Sequence, residues 1–296
     1  SVNDNCIDFY IKPGLVGKSA SIDYHPKTSF IKLKNESITV QDSVQKRLKI
    51  DRDWVLNKNN FNAYGEIIDT SDVDTLYRNI YNPSSFTGVV FKESLQKYGA
   101  KVKTISKKKI LDKRYKKISN HLSKPLIQSA TNLMNESDNL TAELFVKSIG
   151  ALDTLPGTWK IGLDSIKSFL AKEVLIDTSN IRLADGSGVS RYNLTNAAQL
   201  NSLLKWMYNS KYKDDFISTL PGGGWESSTL EKRLIDEGDL VRAKTGGLSG
   251  VRNLAGYIKS KKYGDVAFSI LMNGYTDYSS RYARVHDQIV KSIIYD

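Results

Sequence analysis

The order of hydrophobic periods along the chain predicts an α+β fold. Residues 1–75 alternate with the two-residue period of strands, and residues 122–208 repeat at helical spacing. From Leu240 the pattern returns to short strands and closes on one terminal helix. Helices, then antiparallel strands, then a last helix is a segregated order, unlike the alternation of βαβ units.

Each element has its own signal. Ile7-Asp8-Phe9-Tyr10-Ile11, Ala20-Ser21-Ile22-Asp23-Tyr24, Phe30-Ile31-Lys32-Leu33 and Leu48-Lys49-Ile50 each place apolar residues on one face. Pro13-Gly14, Asn35 and the asparagines at 57–60 separate them as turns. Pro83 opens a helix that carries Phe86, Val89, Val90 and Leu95 and should end at Gly99. Residues 122–134 and 140–149 read as two helices around a polar break at 135–139. Trp159–Lys172 and Ala197–Tyr208 are amphipathic, and Asp185-Gly186-Ser187-Gly188 between them is a tight turn. Residues 241–244, 255–259 and 266–271 are strand-like, and residues 282–294 form the last helix. A domain boundary is expected near 112–117, dividing a β-rich module (1–112) from an α+β domain (113–296).

Bulk properties narrow the function classes. The 296 residues hold 40% hydrophobic and 25% charged side chains, an ordinary globular composition. No apolar run reaches the roughly 18 residues that would cross a bilayer. The opening Ser1-Val2-Asn3-Asp4 has neither a basic nor an apolar leader region, so no signal peptide is expected within the chain. Cys6 is the single cysteine, and the three histidines, His25, His121 and His286, are scattered, so no metal site is expected. The net charge of +11 concentrates in residues 101–117, where nine Lys or Arg face one Asp. That run reads as a solvated segment more readily than as a nucleic-acid patch, since Tyr115 is its only aromatic residue.

Two tripeptides carry chemistry. Ser137-Asp138-Asn139 sits in the polar break between two helices, and Lys244-Thr245-Gly246 ends a strand. Acyl transfer to a serine needs a hydroxyl that relays protons, an amide that holds a peptide group, and fixed positive charge for a carboxylate. Ser137, Asn139 and Lys244 supply those types. Thr245 adds a donor, and Gly246 lets a backbone approach closely. Read blandly, the first tripeptide is a helix cap and the second a strand ending in a turn.

Together the motifs resemble those of the penicillin-recognising serine enzymes. Ser137-Asp138-Asn139-Leu140-Thr141-Ala142-Glu143 is similar to the second motif of the low-molecular-mass class C penicillin-binding proteins, the penicillin-binding protein 4 type of D-alanyl-D-alanine carboxypeptidase and endopeptidase. The block Leu183-Ala184-Asp185-Gly186-Ser187-Gly188-Val189-Ser190-Arg191-Tyr192-Asn193-Leu194 resembles that family's signature loop. Lys244-Thr245-Gly246-Gly247-Leu248-Ser249-Gly250-Val251, with Leu254-Ala255-Gly256-Tyr257, resembles its third motif and following strand.

The resemblance implies a transpeptidase-like domain of the β-lactamase and penicillin-binding type, with an antiparallel sheet and a helical subdomain, preceded by part of a β-rich inserted module. It further implies that Ser137, Asn139 and Lys244 are catalytic, and that Thr245, Gly246 and Gly247 bind substrate. Asp185 and Ser187 are expected to shape a turn at the cleft rim, and Trp225 to form either cleft wall or core. The implied ligands are peptidoglycan stem peptides and β-lactams. The implied location is periplasmic or otherwise extracytoplasmic, and no cofactor is called for.

Two departures from the family pattern stand out. The residue after Lys-Thr-Gly is usually a hydroxyl residue, and here it is Gly247. The nucleophile's Ser-x-x-Lys should precede both motifs. By letters Ser43 with Lys46, Ser94 with Lys97, Ser106 with Lys109 and Ser202 with Lys205 fit, but none has the right order and an apolar helical setting. The expectation is therefore a carboxy-terminal portion of such an enzyme, inactive alone, whose site an upstream segment completes. The alternative is a catalytically inactive relative that binds peptidoglycan or a protein partner through the retained cleft.

Overall fold

The computed structural model describes residues 2–42, 45–106 and 118–296, and the chain divides into two compact units, Ser1–Ile118 and Ser119–Asp296. The boundary expected at 112–117, and most of the basic run, lie outside the described residues.

The first unit contains β1 (Cys6–Lys12), β2 (Ser21–His25), β3 (Lys32–Val40), β4 (Lys49–Arg52), β5 (Asn60–Ile68), β6 (Asp74–Asn79) and α1 (Pro83–Lys97). One sheet has the order β2-β1-β6, antiparallel throughout, with Phe9 opposite both Tyr24 and Leu76. The other has the order β3-β5-β4, in which β3 runs parallel to β5. Alternation drives both. Ile7, Phe9 and Ile11 point inward from β1 and meet Ile50, Phe61 and Ala63 in one core, with Phe86 of α1. The Phe9 and Phe61 rings lie 5.1 Å apart. Each such buried aromatic stabilises the unit by roughly 2–3 kcal/mol. Asn82 caps α1 by accepting from the Ser85 N–H, and the helix gives way at Gly99, whose φ is +86°.

The second unit contains α2 (Leu126–Glu136), α3 (Asn139–Asp153), α4 (Trp159–Lys172), α5 (Ala197–Tyr208), α6 (Lys213–Thr219), β7 (Val241–Leu248), β8 (Val251–Ser260), β9 (Gly264–Asn273) and α7 (Ser279–Tyr295). The strands form one antiparallel sheet in the order β7-β8-β9. Its two faces are both covered. Val241, Ala243, Leu254 and Ile258 pack under Val290 and Ile294 of α7. On the opposite face Tyr257 meets Leu204 of α5 and Leu220, and its hydroxyl donates to the Leu204 carbonyl at 2.8 Å. This is the mixed architecture, antiparallel sheet plus helical part, that the periodicity predicts. Short α6 escapes a periodicity reading because seven residues make only two turns.

Candidate active site

Ser137, Asp138 and Asn139 form the link between α2 and α3. Ser137 closes α2 in the left-handed region, φ 61° and ψ 46°, an uncommon conformation for a residue with a Cβ. Asp138 is the N-cap of α3: its carboxylate accepts from the Leu140 N–H at 2.9 Å and from the Thr141 hydroxyl. The capping chemistry that made this tripeptide look bland thus falls to Asp138 alone. It leaves Ser137 and Asn139 exposed on either side.

Lys244 comes to this link from the middle of β7. Its Nζ donates to Ser137 Oγ at 2.7 Å, across 107 residues of sequence, and to the Thr245 carbonyl at 2.8 Å. Burial lowers its pKa from the ordinary lysine value to about 8. Thr245 and Gly246 join Lys244 in lining a cavity of about 890 Å³. Asn139 and Gly247 stand outside that lining. Arg191 and Lys244 are the charged residues of its wall, which contains no Asp or Glu.

The Asp185 turn forms the facing rim. The Asp185 carboxylate accepts from the N–H groups of Gly188 (2.7 Å) and Ser190 (2.6 Å) and from the Asn193 amide (2.8 Å). A β-carbon on Gly186 would lie 2.5 Å from Val146 and 2.8 Å from the Ala142 carbonyl, so this turn seats directly on α3. Arg191 reaches from the same loop to the Ser249 carbonyl, 2.7 Å away, in the turn between β7 and β8.

Glu143 is the residue that sequence reasoning passed over, although it closes the second motif block. Its carboxylate holds the Asp185 turn through the N–H groups of Gly186 and Ser187 and takes the Trp159 indole N–H at 2.8 Å. Trp225 is neither cleft wall nor core. It is half-buried beside β7, with the Arg242 guanidinium 4.0 Å over its ring and its indole bonded to Asp239.

Within the second unit, the candidate pair Ser202 and Lys205 is not among the residues that line this cavity. Ser202 and Lys205 are exposed on α5, and Ser94 lies late in α1 of the first unit. Ser43 and Lys109 lie outside the described residues. Two further letter matches, Ser29 with Lys32 and Ser210 with Lys213, also occur. Ser29 donates to Glu93 at 2.6 Å and Ser210 to the Met207 carbonyl, so neither is paired with a lysine. Among the described residues no cluster of acids, histidines and cysteines could hold a metal, and no helix is long and apolar enough to cross a membrane.

The model of the D-Ala-D-Ala carboxypeptidase 3 (S13) family matches residues 1–292. The chain belongs to that family. A D-alanyl-D-alanine carboxypeptidase of Actinomadura sp. (strain R39) is 30% identical over 276 residues, which is 90% of this chain and 50% of that protein. D-alanyl-D-alanine carboxypeptidase DacB of Haemophilus influenzae is 33% identical over 163 residues, 54% of this chain and 34% of the relative. The chain thus spans about half, or less, of the length of these relatives. In three dimensions it resembles the crystal structure of penicillin-binding protein 4 from H. influenzae in complex with a β-lactam. The TM-score is 0.78 at 22% identity, covering 99% of this chain and 70% of the other. That likeness shows the fold, the one expected from the three motif blocks.

Proposed function

We propose that this chain carries the second-motif and third-motif half of a serine-type D-Ala-D-Ala carboxypeptidase/endopeptidase acting on peptidoglycan stem peptides. The nucleophilic serine and its lysine would come from residues outside these 296, and the chain alone would be inactive. The observation that carries the reading is the 2.7 Å bond from Lys244 to Ser137 in a fold of this family.

In acylation the nucleophile's oxygen bonds to the carbonyl carbon of the penultimate D-Ala. The bond to the leaving nitrogen breaks, and the nucleophile's proton ends on that nitrogen. Because Ser137 Oγ accepts from Lys244, its own hydroxyl proton is free to be donated toward the leaving nitrogen. An amine on the nucleophile's side then replaces it. Asn139, exposed at the first turn of α3, has an amide available for a substrate peptide group. The cation of Lys244 and the hydroxyl of Thr245 suit the terminal carboxylate. Water then cleaves the acyl-serine and releases the shortened peptide. A peptidoglycan substrate lies outside the cytoplasm, and the reading accordingly includes an extracytoplasmic location.

Intact mass after incubation with benzylpenicillin tests this. The 296-residue chain should show no adduct, whereas the protein as its gene encodes it should gain one. A single-site adduct on the 296-residue chain would overturn the half-site reading. No adduct on either would favour the second reading, a binding relative without catalysis, for which Gly247 is the supporting residue.

A further inference from the structure

The first unit holds a cavity of about 530 Å³ lined by Asp51, Arg52, Trp54, Arg78 and Asn79. That volume is in the range of small-ligand sites. It lies where the outer strands of the two sheets approach, since β4 ends the order β3-β5-β4 and β6 ends β2-β1-β6. Arg78 of β6 ties them together: its Nε donates to the Ile50 carbonyl of β4, and its Nη1 to the Tyr77 carbonyl at 2.9 Å. Trp54 belongs to the turn between β4 and β5 and is 70% exposed. The turn itself is fixed. Asp53 N–H donates to the Asn60 carbonyl (2.9 Å), Lys58 N–H to the Asp53 carbonyl (3.1 Å) and Asn57 N–H to the Trp54 carbonyl (3.1 Å). Arg52 Nη1 adds a bond to the Lys58 carbonyl at 3.1 Å. The indole is thus held out by a braced hairpin, which lowers the ordering cost of a contact.

Trp54 is the one apolar residue of the wall, and the others are polar. The Tyr64 hydroxyl donates to Asp51 Oδ2, so Oδ1 remains open to a donor. The Asn79 side chain and the Trp54 indole have no partner among the described residues. The wall therefore offers acceptors on Asp51 and Asn79 together with donors on Asn79 and the two arginines. A ligand that fits has one apolar face and an edge that both donates and accepts. A pyranose ring has both, with C–H groups on its face for the indole and hydroxyls around its rim. A phosphate is opposed by the Asp51 carboxylate in the wall and by Asp53 next to Trp54. A wholly apolar partner would desolvate the charged side chains without pairing them. Val55 and Leu56 are exposed at the same turn but lie outside the lining.

We propose that this cavity binds a sugar ring of a glycan strand, with Trp54 stacked on the ring and Asp51 and Asn79 bonding its hydroxyls. The choice of glycan rests on the function proposed above, because stem peptides are carried on a polymer of N-acetylated hexosamines. The β-rich unit would then grip the carrier of the peptides.

The probe is the linear tetramer of N-acetylglucosamine, which carries no peptide, so its binding is independent of acyl transfer. Isothermal titration calorimetry on the protein as its gene encodes it should show saturable binding. Trp54→Ala should weaken that binding roughly tenfold or more, the loss of one buried aromatic contact. Trp54→Tyr should keep most of it, because a ring face remains. Asn79→Ala should weaken it severalfold through a lost hydrogen bond. Since Trp54 is exposed, both of its variants should melt and take penicillin as the wild type does. A wild-type protein that leaves the tetramer unbound would overturn the inference, as would a Trp54→Ala protein that binds it undiminished, and either result leaves the functional reading standing. Trp54-dependent binding by a protein that takes no penicillin would support the sugar site and count against the functional reading alone.

Discussion

The carboxylate of Glu143 accepts the backbone N–H of Ser187 at 3.0 Å, across 44 residues of sequence. The Gly186 N–H and the Trp159 indole donate to it as well. Burial alone would raise its pKa, but bonds from the Ser187 hydroxyl and the two backbone groups outweigh it and hold the carboxylate below its usual range. The helix that starts at the Ser137 link thereby fixes the Asp185 turn, and Arg191 carries that turn on to Ser249 beside the third motif. One chain of bonds spaces the two sides of the cleft.

Glu143→Gln should therefore loosen the rim without touching Ser137 or Lys244. It exchanges charge-assisted bonds for neutral ones and should cost about 1–3 kcal/mol. Faster hydrogen exchange at the Gly186 and Ser187 amides is the local readout. The stabilising effect of the wild-type carboxylate is present above an unfolded value of about 4.3 and lost as pH falls below it, because the folded pKa is the lower one. A denaturation series from pH 7 to 3 should show a shallower acid limb in the variant.

Gly186→Ala should destabilise the same seat by a comparable amount. The added methyl meets the Ala142 carbonyl, part of the α3 backbone, which cannot step aside as a side-chain tip can. Overpacking of this kind costs about 1–3 kcal/mol. The midpoint of chemical denaturation should fall accordingly, whereas Gly188→Ala, at a glycine with open space around it, should be limited by its φ of +79° alone.

Legibility in the sequence followed the strength of local signals. The bounds of α4 and α5 were readable because Thr158 and Asn196 cap them, the latter with a full capping box to Gln199. Strand β5 has no strand reading in the sequence, because it begins at Asn60, inside the asparagine turn, and carries Gly65 at φ +91°, next to the Lys46 and Arg47 carbonyls. Its parallel pairing with β3 is a non-local fact that no window contains. Ser137, Asn139 and Lys244 were found by their spacing in motifs. Glu143 looks like an ordinary solvated charge in a window. It gains meaning only from the fold, which brings the Asp185 turn over α3.

His286 predicts a second acid-sensitive limb. It is fully buried on α7, with no hydrogen-bond partner for either ring nitrogen among the described residues. Burial first, then Arg233 and Arg252, lower its pKa to about 4, while Asp287 opposes them. An unfolded histidine titrates near 6.5. Between those values the unfolded chain binds more protons, so stability declines as pH falls from about 6.5 to 4, by at most about 3 kcal/mol. His286→Leu should remove this decline and leave stability at pH 7 unchanged or higher, since no hydrogen bond is lost. Thermal melts at pH 7 and 4.5 check both, and an equal drop in the two proteins would clear His286 of the effect.

Lys244 gives the last prediction, and its sign is opposite in binding and in stability. Its folded pKa of about 8 lies below the unfolded lysine value of about 10.4. Between them the unfolded state holds more protons, so stability rises with pH across that window as the burial penalty on the ammonium is relieved. The functional charge disappears over the same window. In the gene-encoded protein, kcat/KM for a peptide with a free terminal carboxylate should fall through a single ionisation near pH 8. Lys244→Arg, charged throughout, should move that limb upward if the Ser137 contact survives. Lys244→Met should abolish turnover while leaving the fold at pH 7 no less stable, because a half-buried, desolvated cation has been replaced by an apolar chain of similar length. A wild-type profile that stays flat from pH 7 to 9 would detach the Lys244 charge from catalysis.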